Sequence, residues 1–302
     1  MLQSFNEANR DLIVNINGTL THRDEAGVSP FDSTVQNGDG VWEGLRLYEG
    51  RIFRLQAHLD RLQRSATALS YQGIPSHDEI MHEVRRTLEA NDMWDRVHIR
   101  LTLSRGIKYT SGLDPRINTQ GCSIIVLAEH KAPVYDKTGI TLITAAHRRP
   151  PSDVLDQKIH SCNQLTSILA KIEANAAGAD DALMLDTRGF IAETNATHVF
   201  AVANGTLITP TTTACPEGIT RSVVLELCAA NDIPCTVRDM TLAEVYRADE
   251  VFVTGTMGEL APVMTIDGRT IGDASIGPMT ERLHTLFDAI VQAEAEPILK
   301  PR

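Results

Sequence analysis

Lys158 is one of only six lysines in a chain with twenty-two arginines. It stands in VLDQKIHSCNQLTSILA, after a proline-rich turn and just before a helical pattern. A lysine buried away from water loses its charge readily, and its amine can then form a Schiff base with an aldehyde. A solvated lysine at a helix start fits the same spacing, since lysine is rarely buried. Glu193, in GFIAETNATHVFAV, is flanked by Phe190, Ile191, Val199 and Phe200. It reads either as a partly desolvated carboxylate able to keep a ring nitrogen protonated, or as an ordinary strand-edge glutamate. Gly218-Ile219-Thr220-Arg221 precedes an apolar helical run, and the amides and hydroxyl at a helix start make an anion site. Thr254-Gly255-Thr256 offers a second hydroxyl-and-amide group. With Arg61, in HLDRL, these supply three kinds of donor that a phosphate dianion takes. His98, Arg100 and Thr102 share one face of a strand pattern. Arg105 falls on the other face unless the chain turns at Gly106. An arginine fork suits a carboxylate, so either arginine could select an amino or keto acid, and either could be a structural salt-bridge residue. Loops around Trp42, Arg105 and Met257 would set side-chain preference.

These residues need elements to hold them. Residues 12–17 and 46–55 have short strand-like patterns. Leu55, Leu59, Leu62, Ala66 and Leu69 recur at helical spacing. Ser76-His-Asp-Glu79 is a capping box, with Ile80, Val84 and Leu88 on one helix face after it. Val97, Ile99, Leu101 and Leu103 alternate with His98, Arg100, Thr102 and Ser104, which predicts a strand with one apolar and one polar face. Residues 123–127 read as a buried strand, and 132–137 break the pattern as a linker. A strand at 140–145 and a helix with Leu165, Ile168, Leu169 and Ile172 on one side follow. Asn204-Gly205 is a hairpin signal. Thr220 is placed to cap a helix running to about Ala230, and Thr241-Leu-Ala-Glu244 is a second capping box. A strand at 251–254 and a final helix from near Met279 complete the pattern. The whole reads as α+β, with a small N-terminal domain (1–131), a linker (132–137) and a larger C-terminal domain (138–302).

Composition narrows the function class. The 302 residues are 42% hydrophobic and 22% charged, with a net charge of −11. That balance fits a globular protein and argues against partnership with nucleic acid or an anionic membrane. No apolar run approaches the roughly 18–20 residues of a membrane span, and the N-terminus lacks a signal-peptide pattern. Five cysteines without a CxxC fit reduced thiols in a cytoplasmic protein. The ten histidines show no ligand spacing, so no metal is expected. The glycines at 38, 40 and 44 lack the dinucleotide spacing, and no GxSxG occurs. His147-Arg148-Arg149 reads as a solvated turn.

The segment QNGDGVWEGLRLYEGRIFRLQAHLDRL, from Gln36 to Leu62, combines a glycine-rich turn (Gly38, Gly40, Gly44), an acidic pair (Asp39, Glu43) and the later HLDRL. It resembles the N-terminal signature of the class IV pyridoxal-phosphate enzymes. With Lys158 and Glu193 the likeness extends over nearly the full chain. It is strongest in spacing to branched-chain aminotransferases, with D-amino-acid and (R)-amine transaminases close behind. The resemblance implies fold type IV, pyridoxal 5'-phosphate and a homodimer with active sites near the subunit interface. It implies that Lys158 is the Schiff-base lysine, Glu193 the partner of the pyridine nitrogen and Arg61 the phosphate-binding arginine. Ile219, Thr220 and Thr256 match the remaining phosphate donors, and Arg100 an arginine of branched-chain enzymes. The implied reaction moves an amino group between an amino acid, branched-chain and L for preference, and a 2-keto acid such as 2-oxoglutarate or pyruvate. D-amino-acid or (R)-amine transamination, an aminodeoxychorismate-type lyase and a non-catalytic relative are the alternatives. Ser104-Arg105-Gly106 resembles the arginine-glycine step of D-amino-acid enzymes. Asn163 stands where a tyrosine often follows the lysine, His198 where an asparagine is usual, His98 where a tyrosine is frequent, and Trp42 where Phe or Tyr is common.

Overall fold

The computed structural model describes residues 4–135 and 137–301. Asp136 of the expected linker, and the ends of the two expected domains (1–3 and 302), lie outside the described residues. The chain divides into two compact units. One holds Ser4–Ala132, Ile159–Asn163 and the C-terminal stretch from Glu294; the other holds Pro133–Lys158 and Gln164–Ala293. The first division thus falls at the start of the expected linker. Two further segments, 159–163 and the tail, belong with the N-terminal unit, whereas a single linker would have left them in the C-terminal one.

The N-terminal unit is built on β1 (Ile13–Ile16), β2 (Thr19–His22), β3 (Gly40–Tyr48), β4 (Arg51–Ile52), β5 (Val97–Ser104) and β6 (Ser123–His130). With a short C-terminal strand, Glu296–Pro297, on β4, they form an antiparallel sheet in the order tail, β4, β3, β5, β6, β1, β2. Its helices are α1 (Ser33–Asn37), α2 (Leu55–Ala68) and α3 (His77–Ala90), and α3 starts on the expected Ser76 capping box. The alternation in β5 holds: Val97, Ile99, Leu101 and Leu103 are fully buried, in one core with Leu55, Leu59, Leu62, Ile80, Val84 and Leu88 of the two long helices. Register places Val41, Glu43, Leu45 and Leu47 of β3 on that same face, and Trp42, Gly44 and Arg46 on the face of His98, Arg100 and Thr102. The expected glycine-rich turn is only partly a turn. Gly38 ends α1 in the left-handed region (φ 67°), whereas Gly40 and Gly44 are strand residues. Gly40 is a close-approach position, because a Cβ there would lie 2.3 Å from Thr34 Oγ1.

The C-terminal unit contains β7 (Ile140–Thr144), β8 (Asp181–Leu185), β9 (Ile191–Thr194), β10 (His198–Ala203), β11 (Thr206–Thr209), β12 (Cys235–Val237), β13 (Glu250–Gly255), β14 (Glu259–Ile266) and β15 (Arg269–Thr270). The mixed sheet runs β12, β11, β10, β13, β14, β7, β8, β9, with β15 added on β14. Asn204 and Gly205 both take positive φ in the β10–β11 hairpin, as a two-residue primed turn demands. Helices α4 (Ser152–Leu155), α5 (Leu165–Ala176), α6 (Ile219–Ala230), α7 (Leu242–Val245) and α8 (Pro278–Glu294) complete it. Gly218, not Thr220, is the N-cap of α6. On α5 the expected apolar side faces outward: Leu165, Ile168, Leu169 and Ile172 are exposed, and Ser167, Ala170 and Ala174 are buried instead. Among the described residues no helix is long and apolar enough to cross a membrane.

Candidate active site

The candidate residues fall into two groups, one in each unit. In the C-terminal unit Lys158 lies in the turn after α4, and its backbone N–H donates to Asp156 Oδ1 (3.0 Å). Its side chain is 52% exposed, with Nζ 4.0 Å from Glu217 Oε1. At that exposure, burial does not by itself single out this lysine. Glu193 is buried on β9, opposite Met184. Its Oε1 lies 3.0 Å from Arg149 Nε. Arg149 is also buried and donates from its two Nη atoms to Ser167 Oγ (3.1 Å) and the Thr194 carbonyl (2.9 Å). The reading of residues 147–149 as a solvated turn is therefore wrong for Arg149. Its local sequence is that of a turn, and its partners lie 18 to 45 residues away.

Cys215 is a buried thiol of the same unit. Burial drives its thiol pKa up, Glu193 adds to the rise, and Arg221, Arg149 and Lys158 oppose it. The start of α6 is a second feature. No side chain caps it, and Ile219 and Thr220 are its first two helical residues. Gly218 is required by close approach: a Cβ there would lie 2.2 Å from the His198 ring. His198 pairs in register with Thr254 on β13, whose Oγ1 is fully buried without a hydrogen-bond partner among the described residues. Thr256 and Met257 follow in the turn into β14, where Met257 O accepts from Val134 N (3.1 Å). An uncapped helix start, and an orphaned buried hydroxyl paired with the residue that touches it, fit a phosphate group.

In the N-terminal unit the buried carboxylate of Glu43 is the hub. Arg61, on α2, donates from Nε to Glu43 Oε1 and from Nη2 to Oε2, both at 2.7 Å. His58 Nδ1 is 2.7 Å from Oε2, and His160 Nδ1 is 3.4 Å from Oε1. Burial alone would raise the Glu43 pKa, but Arg61 and then His160 outweigh it and hold it well below the usual carboxylate range. Two of the five guanidinium N–H donors of Arg61 are therefore fixed on Glu43. The segment's acidic pair was visible in sequence; that Glu43 would grip Arg61 was not.

Arg100 and Arg105, the two arginines expected to meet substrate, differ in their partners. Arg105 lies past the end of β5. Its Nε donates to Asp39 Oδ2 (2.6 Å), and its Nη2 to Asp39 Oδ1 (3.3 Å) and the Leu69 carbonyl (2.9 Å). Its guanidinium is also stacked over Tyr71. The chain does turn at Gly106 (φ 108°), where a Cβ would lie 1.9 Å from Gly121 O. Arg105 is thus engaged in a salt bridge with Asp39. Arg100 has no carboxylate within ion-pair distance among the described residues; its Cζ lies 3.4 Å from the centroid of the Trp42 ring. Beside it, both ring nitrogens of His98 are buried without partners among the described residues. Burial, then Lys131, Arg46 and Arg100, push the His98 pKa down to about 3.

Comparison with known proteins follows this geometry. A family model described as amino-transferase class IV matches residues 40–266. Branched-chain-amino-acid aminotransferase-like protein 2 of Arabidopsis thaliana is 49% identical over 291 residues, which is 96% of this chain and 52% of the relative. The chain therefore spans about half the length of that curated relative. The putative branched-chain-amino-acid aminotransferase of Methanocaldococcus jannaschii is 40% identical over 276 residues, covering 91% of this chain and 95% of that one. Among solved structures, the branched-chain amino acid aminotransferase of Thermobaculum terrenum in its PLP form superposes with a TM-score of 0.86 at 25% identity, over 97% of this chain and 100% of that one. The matched span contains every candidate cofactor residue, and the α+β architecture is that of fold type IV: the chain belongs to the class IV aminotransferase family.

Proposed function

We propose that the protein is a pyridoxal-phosphate transaminase moving an amino group between an amino acid, branched-chain L-amino acids preferred, and a 2-keto acid such as 2-oxoglutarate or pyruvate. The observation that carries this reading is the buried Glu193 carboxylate, held 3.0 Å from the buried Arg149, in a chain of the class IV aminotransferase family. When bound, pyridoxal 5'-phosphate supplies an aldehyde for amines and a ring that accepts the electron pair of a breaking Cα–H bond. Lys158 Nζ takes and returns the proton at the substrate Cα. Glu193 would keep the ring nitrogen protonated, and Arg149, 3.0 Å away, keeps that carboxylate in place. The Ile219 and Thr220 amides and the Thr220 and Thr256 hydroxyls would hold the phosphate from the C-terminal unit, with Arg61 the donor expected from the N-terminal unit. Arg100 takes the substrate carboxylate in its fork; Trp42, His98 and Met257 border the substrate side chain. Arg105, bound to Asp39, serves the loop and not the substrate, which weighs against the D-amino-acid reading.

The α5 stripe and the five thiols support the remaining features of the proposal, a homodimer in the cytoplasm. Half-reactions of the purified protein with L-leucine, D-alanine and (R)-1-phenylethylamine, followed by the cofactor spectrum, test the substrate class. L-leucine is expected to convert the cofactor; a response to D-alanine or the amine alone overturns the preference. Pyruvate released from aminodeoxychorismate without keto-acid turnover would instead show a lyase. A colourless protein would show a non-catalytic relative.

A further inference from the structure

We propose that Trp42 is a positioning residue for Arg100, holding the substrate-facing guanidinium by a stack that His160 completes. The inference rests on the reading that Arg100 receives the substrate carboxylate. Trp42 is fixed from several sides by the short segment that follows Lys158. Its Nε1–H donates to the Ser161 carbonyl (3.1 Å), and its backbone N–H to the His160 carbonyl (3.0 Å). His160 Nδ1 donates back to the Trp42 carbonyl (2.7 Å), and the His160 ring stacks on the indole with centroids 4.4 Å apart and planes 26° apart. Arg100 Cζ lies 3.4 Å from the ring centroid of the same indole. Gly44, opposite Arg100 in register, carries no side chain, so the indole reaches across to it unobstructed.

The consequence follows from what Arg100 does not have. A buried arginine is ordinarily held by a carboxylate, as Asp39 holds Arg105. That partner fixes the fork but occupies it and cancels its charge. An indole face attracts the cation without engaging its in-plane N–H groups. Held against the indole at Cζ, Arg100 has no carboxylate within ion-pair distance among the described residues to occupy its fork, which is the state that takes a ligand carboxylate. His160 also touches Glu43, which grips Arg61. One contiguous set of contacts therefore links the substrate arginine to the phosphate arginine.

A double-mutant cycle in the holoenzyme tests this. Trp42→Leu and, independently, Trp42→Phe are combined with Arg100→Gln. Binding of hexanoate, an unreactive aliphatic carboxylate, is measured by calorimetry, with KM and kcat for L-leucine alongside. Trp42→Leu is expected to weaken hexanoate about tenfold, and Trp42→Phe only about two- to threefold, because the smaller ring keeps part of the cation–π attraction. Both are expected to raise KM by more than they lower kcat. In the Arg100→Gln background the Trp42 substitutions should change hexanoate affinity less than about twofold, since coupled residues are non-additive. Equal losses with and without Arg100, or no hexanoate binding by the wild type, would overturn the proposal. Failure of the transaminase reading is distinguishable: hexanoate binds with the expected coupling, and L-leucine is not turned over.

Discussion

Single residues carry the site, and the clearest is Arg149. It sits buried against Glu193 and spends its other donors on Ser167 and Thr194. Replacing it with Met would leave a carboxylate buried without its cation, a change that typically costs about 3–5 kcal/mol. Arg149→Met is therefore expected to lower the denaturant midpoint strongly and to lose transaminase activity with it. An unchanged unfolding curve would show that the pair does not hold Glu193. His98 gives a pH signature. Its folded pKa is depressed from 6.5 to about 3, so between those values the unfolded chain binds more protons. The stability this group contributes is complete above about pH 6.5 and is lost as pH falls toward 3. His98→Gln should flatten part of that acid limb in denaturation curves taken from pH 7 to 4; His160, shifted in the same direction, leaves the rest. A limb of unaltered slope sinks the assignment. The burial of Glu193 was legible because its strand is apolar, whereas the burial expected of Lys158 is not met in a side chain that is 52% exposed. Arg149 and the Glu43–Arg61 fork were not legible, because each is defined by a partner far along the chain and its local sequence resembles a surface turn or an exposed acid.

Elements were legible where a local rule decides them. The β5 alternation, the Ser76 and Thr241 capping boxes and the Asn204-Gly205 hairpin all depend on residues within a few positions of each other. Gly40 and Gly218 were not readable in this way, because each is demanded by a side chain from another element. At Gly218 the constraint is testable. A Cβ there would lie 2.2 Å from the His198 ring, so Gly218→Ala must displace the ring or the start of α6. Overpacking of this kind costs roughly 1–3 kcal/mol. We expect a lower melting temperature and weaker cofactor retention on dialysis for Gly218→Ala, with both largely restored in Gly218→Ala/His198→Ala. Restoration failing in the double variant would mean that the ring contact is not what requires glycine.

At the scale of the whole molecule, the sequence shows a break near Pro133 but not the later returns of the chain at Ile159 and Glu294. Those returns depend on tertiary pairing, such as Glu296 against Ile52, which no local pattern announces. The same limit explains α5. A stripe at Leu165, Ile168, Leu169 and Ile172 has the spacing of a core-facing helix, yet these residues are 66, 52, 41 and 56% exposed. The helix meets its own unit through Ser167, Ala170 and Ala174, small side chains that permit close packing against β8. Four large aliphatics exposed on one helix face are the kind of patch that marks an association site, and a second copy of this chain is the partner the proposed function calls for. Sedimentation at micromolar concentration is expected to show a dimer. Ile168→Glu/Ile172→Glu would place two like charges on each copy of that face, and should give monomers at the same concentration. Because the stripe does not pack on its own unit, the monomer should keep the wild-type far-ultraviolet circular dichroism. A monomeric wild type, or a double variant that remains dimeric, would remove α5 from the interface.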